Sequence, residues 1–141
     1  MHRLLCCALL LLLGCAGARQ DGIEELSTHE HLSLFKLGSL RGTRDGDRLA
    51  ARAMFTDSSS ILTIDMQFAI GSPTFLQSGA WRWIRNNALE TGSVSALSVT
   101  FLGGQDGPPS IGGTFELLSA GAGAQYRVTI PVTQLTGRLP K

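Results

Sequence analysis

The chain has 141 residues, 43% of them hydrophobic and only 16% charged, with a formal net charge of +1. That length, with a targeting segment set aside, allows about one domain with a real core. The composition excludes a disordered chain, and the intermixed acids and bases offer neither a basic stripe for nucleic acid nor an acidic tail.

The chain begins as an export signal does. His2 and Arg3 supply a basic start, Leu4 to Leu13 an apolar run, and Gly14 to Ala18 a small-residue cleavage region. An apolar run of about ten residues is short for a membrane span and suits a secretory signal. Cleavage after Ala18 would make 1–18 a signal peptide and release a soluble protein. A second processing route is equally written in the residues. Leu12-Leu13-Gly14-Cys15 resembles a bacterial lipobox, in which the signal is removed before the cysteine and the thiol is lipidated. The resemblance implies a signal of 1–14 and a membrane anchor at Cys15. With Ala16 behind the cysteine, it also resembles lipoproteins sorted onward to the outer membrane or cell surface. The chain's three cysteines, Cys6, Cys7 and Cys15, all lie in this segment. The domain after it therefore has no thiolate nucleophile, disulfide framework or cysteine metal site.

Residues 19–31 are polar and acidic and are expected to form a tether. His29-Glu30-His31 places two histidines two apart, a spacing that could face one metal. No third ligand accompanies them, so no metal or other cofactor is expected.

From 32 to 141 the sequence reads as a β-domain. Leu32 to Gly42 alternates imperfectly, which predicts a bulge near Lys36 or Gly38. Asp45-Gly46 is a hairpin signal. Arg48 to Thr56 puts Leu49, Ala51, Ala53 and Phe55 on one face. Asp57-Ser58-Ser59-Ser60 is a polar turn rather than a nucleophile elbow. Ile61 to Ile70 has the strictest period of two: Leu62, Ile64, Met66, Phe68 and Ile70 alternate with polar or small residues.

Gly71-Ser72-Pro73 breaks the pattern, and Phe75 to Arg85 resumes it. Trp81 and Trp83 share one face of that strand; Arg82 and Ile84 share the other. Two tryptophans so spaced can fill a core or form a platform for a sugar ring or apolar ligand, and Arg82 and Arg85 could hold a carboxylate or phosphate. Asn86 to Gly92 reads as a turn-rich loop. Ser93 to Leu102 is the next strand, with Leu97, Val99 and Phe101 inward.

Gly103 to Pro109 is a Gly/Pro loop. It precedes a strand rather than a helix, so it is an exposed contact loop and not a phosphate cradle. Ile111 to Leu118 and Gln125 to Leu135 complete the set, the latter with Tyr126, Val128, Ile130 and Val132 inward and a bulge or edge at Pro131.

About seven strand-like runs joined by short turns predict an all-β fold, an antiparallel β-sandwich or small β-barrel wired mostly as a meander. No paired catalytic groups emerge, although Asp65 and Glu116 are the carboxylates a hydrolase would have to use. The expectation is an exported, non-enzymatic envelope domain with a binding or structural role, anchored through Cys15. The alternative is a secreted extracellular carrier of a small apolar or saccharide ligand on the Trp81/Trp83 face.

Overall fold

The computed structural model describes residues 22–26, 30–31, 36–103, 108–121 and 125–139. The segment expected to be an export signal, Cys15, His29, the 32–35 stretch and most of the Gly103–Pro109 loop lie outside the described residues.

Nine strands form one antiparallel sheet. They are β1 (Gly22–Glu25), β2 (Glu30–His31), β3 (Lys36–Asp45), β4 (Arg48–Thr56), β5 (Ser60–Ala69), β6 (Phe75–Arg85), β7 (Ala88–Leu102), β8 (Ser110–Ser119) and β9 (Gln125–Gln134). Their spatial order is β2-β1-β9-β8-β7-β6-β5-β4-β3. From β3 to β9, each strand therefore lies beside its neighbours in sequence. These seven strands are the predicted meander. The two additional strands correct the expected count, and β1 corrects the expected tether. Glu24 and Glu25 keep 22–25 polar in sequence, but Ile23 is completely buried where β1 pairs with β9. A single apolar residue in four is too little periodicity to announce a strand.

The sheet curls into a half-barrel because its inner face is apolar along its whole length. Leu49, Ala51, Ala53 and Phe55 of β4 and Leu62, Ile64, Met66 and Phe68 of β5 are all buried. Phe68 meets Phe115 of β8 edge-on at 6.2 Å, and Trp81 and Trp83 of β6 meet Tyr126 of β9 at 5.9 and 5.0 Å. Inner faces far apart in the strand order thus supply one core. Full burial of each large apolar side chain contributes about 1.5–3 kcal/mol.

The ends of the curl also meet. Past β9, Thr136 N–H donates to the Leu40 carbonyl and Gly42 N–H donates to the Gly137 carbonyl, both at 2.9 Å. Leu135 folds under this junction and is buried.

Turns follow the local chemistry. Asp45 pairs with Arg48 across a two-residue turn whose Gly46 has φ of 63°, a left-handed conformation that glycine adopts without a side-chain penalty. The Asp57 carboxylate accepts from the N–H groups of Ser59 and Ser60, both at 2.8 Å, closing the polar turn. Asn86 and Asn87 both have positive φ, 53° and 60°, so Arg85 and Ala88 pair directly. The expected loop from Asn86 to Gly92 is thus a two-residue hairpin turn, and β7 begins at Ala88.

Bulges explain the remaining differences. The predicted irregularity in β3 falls between Leu37 and Ser39. In β7 the register shifts between Ala96 and Ser98. Leu97 is the extra residue and is 54% exposed, whereas it was expected inward. The same correction applies to Val132. The register shift opposite Ile111–Gly113 turns it outward, and Leu135 takes up the buried face instead.

Candidate functional site

The β6–β7 hairpin organises two concave features that could receive a ligand. At its turn end, alternation in β6 sends Trp81 and Trp83 inward and Arg82 outward. Arg85, the last residue of β6, reaches back over the Trp83 ring with its Cζ 4.1 Å from the centroid. A guanidinium stacked in this way gains cation–π attraction while its edge stays available to polar partners.

That edge is held. Arg85 Nη2 donates to the Tyr126 hydroxyl at 3.0 Å and to Glu90 Oε1 at 3.5 Å. The Tyr126 hydroxyl in turn donates to Glu90 Oε1 at 3.4 Å. Glu90 reaches the group because it stands opposite Trp83 in the β6–β7 register, and Tyr126 reaches it across the interior from β9. Burial pushes the Tyr126 phenol above its ordinary value of 10.0, against the opposing pull of Arg85. Trp81 Nε1 donates to the Leu118 carbonyl at 3.1 Å, fixing the second indole.

A cleft of about 520 Å³ opens over this cluster. Arg85, Leu89, Glu90, Thr91, Ser119 and Tyr126 are among the residues that line it. The two indoles do not form an open platform: both residues are only 1% exposed and pack beneath the lining residues, Trp83 under Arg85 and both against Tyr126. Of the four residues nominated from sequence, Trp81, Trp83 and Arg85 come together. Arg82 stands on the opposite face, exposed to solvent.

Sequence reasoning did not join Glu90 and Tyr126 to the group. Strand alternation could have flagged Glu90 as facing the tryptophan side once the Asn86-Asn87 turn was recognised. Tyr126 carried no such local signal, because its approach depends on the curl of the whole sheet.

At the other end of the hairpin the two strands part. Their pairing runs from Arg85–Ala88 to Ala80–Ser93 and stops, although β6 extends back to Phe75 and β7 on to Leu102. Two bulges flank the parting: Gln77 in β6 against β5, and Leu97 in β7 against β8. Bulges bend and twist the strand that carries them. The resulting groove holds about 460 Å³ and is lined only by uncharged residues, among them Phe75, Leu76, Val94, Leu97 and Val99.

The carboxylates considered for hydrolysis are engaged elsewhere. Asp65 accepts from Arg52 Nε at 2.6 Å, and Glu116 accepts from Arg127 Nη2 at 3.0 Å. Among the described residues, no group of three or more His, Cys, Asp or Glu side chains converges as a metal site would require.

Comparison with protein-family profiles, with curated proteins and with solved structures finds no match to this chain.

Proposed function

We propose that this chain is an exported, non-enzymatic binding domain of the cell envelope, carried on a lipid anchor at Cys15, and that its ligand is a small saccharide held at the turn end of the β6–β7 hairpin. The observation that supports the ligand is the Arg85–Glu90–Tyr126 group at the base of an open cleft. Its donors and acceptors are interleaved: guanidinium N–H groups, a carboxylate, a phenol, and the Thr91 and Ser119 hydroxyls on the rim. One cation stands against one carboxylate, so the site suits a neutral, hydroxyl-rich molecule better than a simple ion. Hydrogen bonds to charged side chains are each worth about 1.5–3 kcal/mol, enough to orient a sugar ring. Trp81 and Trp83 support this site from beneath, packed against Tyr126 and, for Trp83, under Arg85.

The same reading takes the half-barrel as a small closed barrel rather than a sandwich, supported by the two backbone hydrogen bonds that join its ends. The test is a tryptophan-fluorescence titration with a panel of neutral oligosaccharides. Trp83 lies directly under Arg85, so a bound sugar should shift its emission. Arg85→Ala should weaken the response at least tenfold. A flat response across the panel would overturn the saccharide reading. Intact mass tests the anchor: a chain beginning at a lipidated Cys15 supports it, and one beginning at Arg19 overturns it.

The groove where β6 and β7 part supports a second reading, a carrier of a small apolar ligand. Its uncharged lining and the exposed Phe75 and Leu97 at its rim favour that chemistry. Binding of an alkyl probe that is lost in Val94→Asp would favour the carrier over the saccharide site.

A further inference from the structure

The strand register sorts the outward-facing charges by wall. Outward on β3 to β6 stand Lys36, Arg41, Arg48, Arg52 and Arg82, against the carboxylates Asp45 and Asp65. Outward on the opposite wall, Arg127 stands between Glu24 and Glu116. A chain of net charge +1 therefore carries a distinctly cationic β3–β6 face. Arg52 is engaged by Asp65. Among the described residues, the side chains of Lys36, Arg41, Arg48 and Arg82 make no hydrogen bond or ion pair, so their charge is displayed to solvent.

Beside these cations lies an aliphatic row. Ile61 stands opposite Ile84, and Ile84 opposite Leu89, so three branched side chains line up across β5, β6 and β7. They are 43%, 52% and 63% exposed. Arg82 is the next outward residue along β6 from Ile84, about 7 Å away at the rise of a strand.

We propose that this face docks on an anionic lipid surface. The Ile61–Ile84–Leu89 row would sit at the headgroup boundary, and Arg82, Arg41, Arg48 and Lys36 would meet the lipid phosphates. Charge complementarity selects an anionic partner, and the aliphatic row selects lipid among anionic partners. A nucleic acid would find a single exposed aromatic side chain on the outward positions of β4 to β6, Phe75 in the row of Arg48 and Ala69, whereas single-strand binding stacks successive bases on several aromatics. A soluble polyanion would leave the aliphatic row in water. The face meets the Arg85 cleft only at Leu89, and its cations, Ile61 and Ile84 lie outside that cleft, so this proposal does not rest on the saccharide reading.

The experiment is vesicle co-sedimentation of the full chain carrying Cys15→Ser, so that no lipid anchor contributes. Vesicles are phosphatidylcholine alone or phosphatidylcholine with phosphatidylglycerol. Binding is expected to the anionic vesicles only and should fall as salt rises. Each arginine removed from the contact should weaken it about fivefold. Arg41→Gln with Arg82→Gln should therefore lose more than tenfold, and Ile84→Ser with Leu89→Ser should weaken binding even at low salt. These positions are exposed, and circular dichroism verifies each variant's fold, with Arg48→Gln as a further surface variant. Equal binding to both vesicle types, binding unaffected by the arginine or aliphatic variants, or capture by heparin without vesicle binding would overturn the proposal.

Discussion

Two titrating side chains connect single atoms to stability. Asp57 holds its carboxyl below the ordinary value of 3.8, chiefly through the backbone N–H of Ser59, with Ser60 adding to it. A depressed carboxyl contributes stability that is complete above the unfolded value and is lost as pH falls through the folded one. The urea midpoint of the wild type should exceed that of Asp57→Asn at pH 7. The gap should narrow as the solution is acidified below pH 4. Tyr126 behaves in the opposite sense. Its phenol is raised above 10.0 by burial, so its contribution is complete below pH 10 and falls as pH rises through the folded value. The chain has one tyrosine, so tyrosinate absorbance reports this residue alone. The native midpoint should lie above the ordinary 10.0, and Tyr126→Phe should remove this residue's share of the alkaline loss of stability.

At the scale of strands, legibility tracked the absence of bulges. β4 runs from Arg48 to Thr56 with unbroken pairing on both sides, and its four buried residues are those the alternation names. β5 is nearly as plain. β7 was harder because its inward parity changes at Leu97. Val94 lies inward before the bulge, and Val99 and Phe101 after it, so no single period describes the strand. Half of the candidate site followed from one strand's alternation, through Trp81, Trp83 and Arg85. Its other half required pairing across the Asn86-Asn87 turn and across the interior, which local pattern does not encode.

Paired substitutions test these assignments. Leu97→Ser should change stability by no more than about 0.5 kcal/mol, whereas a core leucine there would cost several times that. Gly92→Ala should cost about 1–3 kcal/mol by overpacking. A methyl at Gly92 would collide with the Leu118 carbonyl and lie 2.6 Å from Trp81 Nε1, disturbing the donor and acceptor that fix the indole. Chemical denaturation measures both.

For the whole molecule, the junction of Thr136 and Gly137 with β3 is where the curl is held. Without residues 135–141, Leu40 would lose the backbone and side-chain hydroxyl donors of Thr136, and its strand would become a bare edge. Exposed edges recruit other edges. A chain ending at Gln134 should melt lower and form dimers or larger species by light scattering, and a Lys placed at Ser39 or Thr43 should suppress that association.

That junction also sets an order of events in time. Consecutive strands from β3 to β9 can zip together as they appear, because each partner is the next segment of chain. Leu40 and Thr136 are 96 positions apart, so their contact must wait for nearly the entire polypeptide. Contacts of such separation form slowly, since the loop entropy comes before the reward. A chain still crossing a membrane would carry an unclosed sheet until its last residues emerged. For the exported chain proposed above, β3 would be the element most in need of protection on the way.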